Sequence, residues 1–178
     1  MVPKGKLSRT QNGLVPDGEG WFVVNAREAR WLGSDELGKF CPFEGDVRFP
    51  DLGINVNVLE AGQPSCMYHG ESDQEDFLVL AGECILLIEG EERRLKAWDF
   101  VHCPPWTEHV LVGAGSGPCV FLGIGARSGA SEVRYPLVEV ARKYGAGVAQ
   151  ETTSPKEAYA HLSPLEERSY REGDLPEW

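Results

Sequence analysis

Two short stretches hold the side chains with the most chemistry to offer. YHGESDQEDF (68–77) places His69, Glu71 and Glu75 just ahead of an apolar run, FLVL. DFVHCPPWTEHVLV (99–112) places His109 at the start of a second apolar run, after a Pro-Pro turn. Strand side chains alternate with period two, so Glu75, Phe77 and Val79 share one face. His69 and Glu71 have the same parity if the backbone stays extended there. Two imidazoles and a carboxylate, His69, Glu75 and His109, form the 2-His-1-carboxylate type of set, which suits Fe(II) or Mn(II) and leaves coordination positions open. Adding Glu71 gives four ligands, two nitrogens and two oxygens. Glu75 directly precedes an apolar strand, where a buried carboxylate is costly without a metal or cationic partner. The plainer alternatives are an exposed loop histidine at 69, a His109 bonded to Glu108 or a backbone carbonyl, and a Glu71 that is one loop carboxylate among Asp73 and Glu75. Spacing alone does not bring residue 75 to residue 109.

Other reactive residues carry less. His102 lies on a strand face that the pattern leaves open and is excluded from the ligand set, and His161 belongs to a polar tail. Trp98 and Trp106 are expected to narrow one end of the fold or to pack under an arm. The five cysteines, Cys41, Cys66, Cys84, Cys103 and Cys119, are odd in number and lack a CxxC, which argues against a disulfide framework and against a zinc-thiolate site. They read as small core thiols. No Ser-His-Asp arrangement is visible, and GAGSG (113–117) is a turn, not a nucleophile elbow. No catalytic residue is assigned on spacing alone.

These residues must be positioned by strands. Residues 54–60, 76–81, 84–89, 92–97, 99–103, 109–112 and 119–124 are short β-type runs, punctuated by Gly62/Pro64, Gly82, Gly90, Pro104/Pro105 and Gly113 to Pro118. Such spacing predicts an all-β sandwich or barrel, with a tight hairpin at Gly90. FLVL and CILLI are apolar on both faces, so one face fills the interior and the other needs cover from the terminal arms, a second subunit, or both. The chain divides by texture into an N-terminal extension (1–50), a strand-rich core (51–126) and a polar C-terminal arm (127–178). In the arm, Ser154, Pro155 and Glu157 predict a capped helix over 154–160, and Ser163, Pro164 and Glu166 predict another over 163–170. Ser34 is expected to cap a brief helical turn through Leu37. Tyr135, Leu137, Val138, Val140 and Tyr144 form an apolar patch that anchors the tail.

At 178 residues with a formal net charge of −11, the chain is long enough for a core and short of the basic residues that nucleic acid or an acidic membrane surface would need. It holds no apolar stretch of the ~18 residues a membrane helix requires. The first residues do not read as a signal peptide, so the cytoplasm is the expected location.

The motifs resemble those of the cupin superfamily, in particular small bacterial single-domain cupins. The first cupin motif runs from a glycine through H-x-H to a glutamate and a second glycine, matched here by Gly62, His69, Glu71, Glu75 and Gly82. The second is matched by Trp98, Pro104, Trp106, His109 and Gly113 at the right spacing. The departures are Glu71 in place of the second histidine, one extra residue between Gly62 and His69, tryptophans at both glycine positions of the second motif, and Gly113 for its asparagine. The resemblance spans 54–126. It implies a double-stranded β-helix, or jelly-roll barrel, a divalent metal (Fe or Mn favoured, Zn or Ni possible) held by His69, Glu71, Glu75 and His109, and a homodimer. Two functions follow for a small-molecule substrate. The main one is an oxygenase, in which a redox metal chelates a small oxygenated substrate and O2. The alternative is a Lewis-acid isomerase, epimerase or lyase acting on a sugar-like or keto acid substrate, with Glu71 or another pocket group moving protons. A third reading is a non-catalytic ligand-binding or structural barrel.

Overall fold

The structure, a computed structural model, describes residues 1–177. Two strands, β1 (Lys6–Thr10) and β2 (Gly13–Asp17), form a separate N-terminal hairpin. The rest of the β-structure comprises β3 (Trp31–Gly33), β4 (Lys39–Cys41), β5 (Leu52–Leu59), β6 (Gly70–Glu71), β7 (Glu75–Ala81), β8 (Glu83–Ile88), β9 (Glu91–Lys96), β10 (Phe100–Cys103), β11 (His109–Ala114), β12 (Cys119–Ala126), β13 (Val133–Arg134) and β14 (Glu166–Arg168), with two short helices, α1 (Glu139–Lys143) and α2 (Pro155–Ala158). A seven-stranded sheet runs β10-β7-β12-β5-β4-β3-β14, and a three-stranded sheet runs β11-β8-β9, with every pairing between strands antiparallel. The seven strands expected between 54 and 124 are all present, within two residues at each end.

One apolar cluster joins the sheets. Phe77 and Val79 of β7, Val101 and Cys103 of β10 and Phe121 of β12 meet Leu86 of β8 and Leu111 of β11 across it. Alternation decides this: in β7 the residues of Glu75's parity face inward, and Asp76 and Leu78 face out. The chain reverses from β7 to β8 at Gly82, whose φ of +72° is left-handed and where a Cβ would collide with the Pro118 carbonyl, so glycine is required.

Terminal segments cover the outer faces. On the smaller sheet, Leu87, Val110 and Val112 are covered by Ala141 of α1, Ala146 and Tyr144. On the larger, Val58 and Val120 lie under Trp31, Tyr170 and Leu175. β3, β4 and β14 extend the large sheet itself, so segments from both ends of the chain pair with strands from its middle.

Four local expectations change. The segment 163–170 forms no helix: Glu166–Arg168 pair with Trp31–Gly33 as β14, and the Ser163 hydroxyl donates to Glu36 Oε1 (2.8 Å) instead of capping. Leu165 is exposed there, so the segment has no apolar face to bury as a helix, whereas the edge of β3 offers backbone partners. Ser34 does accept from the Leu37 N–H (3.1 Å), but the turn stays a bend. The patch at 135–144 contains α1, a helix that the sequence pattern does not announce. α2 forms where expected, with Pro155 at its first position and the Ser154 hydroxyl accepting from the Glu157 N–H (3.4 Å), but it ends at Ala158. No helix among the described residues is long and apolar enough to cross a membrane.

Candidate metal centre

Glu75 opens β7, His109 opens β11, and His69 lies one residue ahead of β6. His69 and His109 are opposed in an antiparallel bridge and exchange both backbone hydrogen bonds, His109 N–H to His69 O (2.8 Å) and His69 N–H to His109 O (3.2 Å). That bridge, not proximity in sequence, brings the two imidazoles side by side, with ring centroids 5.1 Å apart. Phe77, two residues along β7 from Glu75, packs on the His109 ring at 5.1 Å.

The ring nitrogens divide cleanly. His69 Nδ1 lies 2.8 Å from the Met67 carbonyl and His109 Nδ1 lies 3.0 Å from the Thr107 carbonyl. A carbonyl only accepts, so each Nδ1 carries the proton and donates it, and each Nε2 of the neutral ring presents a lone pair. Both Nε2 atoms face Glu75 Oε2, His109 at 3.3 Å and His69 at 3.6 Å. Oε2 is buried and has no hydrogen-bond partner. One ligand atom from each of His69, Glu75 and His109 lies within 4.8 Å of the other two. Three lone-pair atoms converging in a buried place are stable only with a cation or extra protons among them. A divalent ion satisfies all three, and the backbone carbonyls hold the rings as a metal site requires.

The electrostatics express the same demand. Burial alone would raise the Glu75 carboxyl, but His109 and then His69 outweigh it and bring it down to about 2. Burial would lower His109, yet contacts with Cys103 and Glu75 push it up to about 10. His69 is also raised well above its ordinary value; burial opposes this, and the neighbouring Cys66, Glu71 and Glu75 overcome it. Without a metal, the cluster draws protons in.

Glu71 stands apart. Its Oε1 is 3.5 Å from His69 Nε2, but it is not one of the three mutually close ligands, and a third of its side chain is exposed. His102 points outward, with Nδ1 2.6 Å from Asp76 Oδ1, away from the cluster, and His161 is exposed. Trp98 and Trp106 are exposed as well; both hold left-handed backbone, φ +77° and +70°, at the positions where the second motif has glycine. The Arg134 guanidinium stacks on Trp106 at 5.5 Å. All five cysteines are free.

The cluster lies in the wall of a cavity of about 640 Å³. Tyr135 and Tyr159 form one side, edge to face at 5.9 Å, and Tyr135 packs 5.9 Å from the His69 ring. The Tyr159 hydroxyl accepts from the Met67 N–H (3.2 Å), in the segment that also holds His69 Nδ1. Burial pushes both phenols up. Asn55 and Asn57 on β5 and Gly123 and Gly125 on β12, beside β7 in the same sheet, also line the cavity. Sequence reasoning missed these. The alternation I-N-V-N-V at 54–58 was a signal that one face of β5 is polar, but only the register with β12 shows that this face points inward.

Residues 55–125 match the model of a family described as Cupin domain. No curated protein matches the chain. Among solved structures, a sugar phosphate isomerase of the cupin superfamily from Silicibacter pomeroyi is 23% identical with a TM-score of 0.48 over 54% of this chain and 63% of its own. A protein from Acidithiobacillus ferrooxidans described as a candidate sugar phosphate isomerase is 29% identical with a TM-score of 0.45 over 47% of this chain and 55% of its own. A DMSP lyase from Ruegeria pomeroyi is 27% identical with a TM-score of 0.40 over 47% of this chain and 43% of its own. The chain thus spans less than two thirds of the length of each. The matched span takes in β5 to β12, less than half of the chain, with Glu75 and His109 inside it and the facing sheets around them, so residues 55–125 are similar to a cupin domain.

Proposed function

We propose that this protein is a metal-dependent enzyme of the Lewis-acid type, an isomerase, epimerase or lyase acting on a small oxygenated molecule. In this reading the two sheets close as a double-stranded β-helix, and His69, Glu75 and His109 hold the ion. The donor set of two imidazoles and a carboxylate suits Fe(II) or Mn(II), and Zn(II) or Ni(II) also fit it. A divalent ion there supplies polarisation of a substrate carbonyl or hydroxyl.

The observation that carries the reading over an oxygenase is the position of Glu71. It reaches the rim of the cluster without joining the three converging ligands, and it is open to the cavity. A carboxylate so placed accepts a proton from a substrate carbon or hydroxyl and returns it. Tyr135 and Tyr159 orient the substrate and exclude water on the side where proton transfer occurs.

The test begins with metal content. Protein purified without a histidine tag should carry close to one equivalent of metal, lost in His109→Ala and retained in Glu71→Gln. Metal-loaded protein in D2O should then exchange carbon-bound hydrogen beside the carbonyl of a small keto acid, followed by NMR, and Glu71→Gln should abolish the exchange. Substrate-dependent oxygen consumption without such exchange would return the assignment to an oxygenase.

A further inference from the structure

We infer that the sheet face beside the metal cluster, two strands along from Glu75, is a substrate subsite for a small hydroxylated anion, with Asn55 and Asn57 binding its hydroxyls and Arg48 its carboxylate or phosphate. The inference rests on the cavity being the active site proposed above, and it names the substrate class.

β5 is a strand of inverted polarity. Ile54, Val56 and Val58 face outward, while Asn55 and Asn57 occupy the interior face. Both carboxamides are half-buried there, and turning them to the interior face is costly unless their hydrogen-bonding groups are used. They bond to one another, Asn57 Nδ2 to Asn55 Oδ1, and to no other side chain or backbone group among the described residues. Whichever way the two amides are turned, one pairing leaves a donor and an acceptor facing the cavity, the combination a hydroxyl group satisfies. Gly123 makes room for them: a Cβ at that position would lie 3.0 Å from Asn55 Oδ1 and 3.4 Å from Asn57 Nδ2. A purely structural amide pair has no need of open space in front of it.

The register places this face at a useful span from the metal cluster. Glu75 of β7 is opposite Gly125 of β12, and Gly125 is opposite Gly53 of β5. Two strand spacings separate Glu75 from Gly53, roughly 10 Å across the sheet. Arg127 lies against Gly53, but its guanidinium is committed to Glu44, with Nη1 to Oε1 at 2.7 Å and Nη2 to Oε2 at 2.9 Å. Arg48 lines the same cavity, is exposed, and forms no ion pair among the described residues. A chain of several carbons, bound by its carbonyl or hydroxyl end at the cluster, passes the amides and brings its anionic end to Arg48. The plainer account, a solvated arginine beside a polar patch, predicts no preference for charge.

The test is calorimetric titration with gluconate, glucose 6-phosphate and sorbitol, on wild type, Arg48→Gln and a double variant with Asn55→Ala and Asn57→Ala, each with and without bound Mn(II). At least one anion should bind tighter than sorbitol by about tenfold or more, the worth of one charge-assisted hydrogen bond. Arg48→Gln should remove that preference, and the double variant should weaken all binding while retaining its metal. Whether the carboxylate or the phosphate ligand wins identifies the anionic group. Equal binding of anions and sorbitol, or a preference that survives Arg48→Gln, overturns the inference, as does the absence of any binding. Failure to take up Mn(II) would instead sink the metal reading, and the anion preference would still be decided in the metal-free protein.

Discussion

At the residue scale, the cluster depends on an asymmetry within each imidazole. Both Nδ1 atoms are committed to backbone carbonyls, so both Nε2 atoms are left for the site, and Glu75 Oε2 has no partner other than what lies among them. Glu75→Gln makes a direct prediction. The amide keeps the shape but removes the charge and can place an N–H toward the Nε2 lone pairs. Metal affinity should fall by roughly 100-fold or more, since a ligand lost outright costs at least as much as the 10–100-fold typical of an outer-shell contact. Equilibrium dialysis against buffered Mn(II) measures it, and a variant that retains wild-type affinity would place the ion elsewhere. Circular dichroism should show the fold unchanged, because the two histidines keep their backbone bonds.

At the scale of elements, the turn before β10 offers a second prediction. Trp98 holds φ +77° with its side chain largely in solvent, so it bears the steric cost of left-handed backbone for a bulky residue and recovers little packing. Trp98→Gly should raise stability by about 1 kcal/mol, the cost of left-handed backbone less the extra unfolded-state entropy of glycine. Urea denaturation reads this, and a loss of stability would mean that the indole makes contacts in solution that offset the strain. Gly82→Ala should do the opposite, costing about 1–3 kcal/mol through φ and the Pro118 collision, and it should loosen the register that carries Glu75. These elements also mark how far the sequence could be read. Strand periodicity put Glu75, Phe77 and Val79 on one face because it rests on local alternation, whereas only the resemblance to the cupin motifs joined Glu75 to His109. The inward face of Asn55 and Asn57 was not readable, since it follows from pairing with β12 more than sixty residues on. The segment 163–170 carries a helix-start pattern, but a strand edge from residues 31–33 claims it. Local signals lose wherever a distant edge or face supplies the better partner.

At the scale of the whole molecule, the cluster ties folding to pH and to metal through the same atoms. In metal-free protein His109 is raised from 6.5 to about 10, so its protonation favours the folded state fully below pH 6.5, and that contribution is lost as pH rises through about 10. Glu75 is lowered from 4.5 to about 2, so its contribution is present above pH 4.5 and lost as pH falls through about 2. For these two groups the metal-free protein is therefore most stable between pH 4.5 and 6.5, and its melting temperature should decline from there toward pH 10. A divalent ion bound there would replace the protons. Its binding must release them, so affinity rises with pH over the range where the metal-free fold weakens. Metal-loaded protein should hold its melting temperature across that range, and the gap between the two forms should widen steadily, because stabilisation grows with the ratio of free metal to its dissociation constant. Differential scanning calorimetry on chelator-treated and Mn(II)-loaded samples, from pH 5 to 10, measures the gap. Parallel curves would mean that metal and protons do not compete for the same site, and the ion would then have to be sought away from His69, Glu75 and His109.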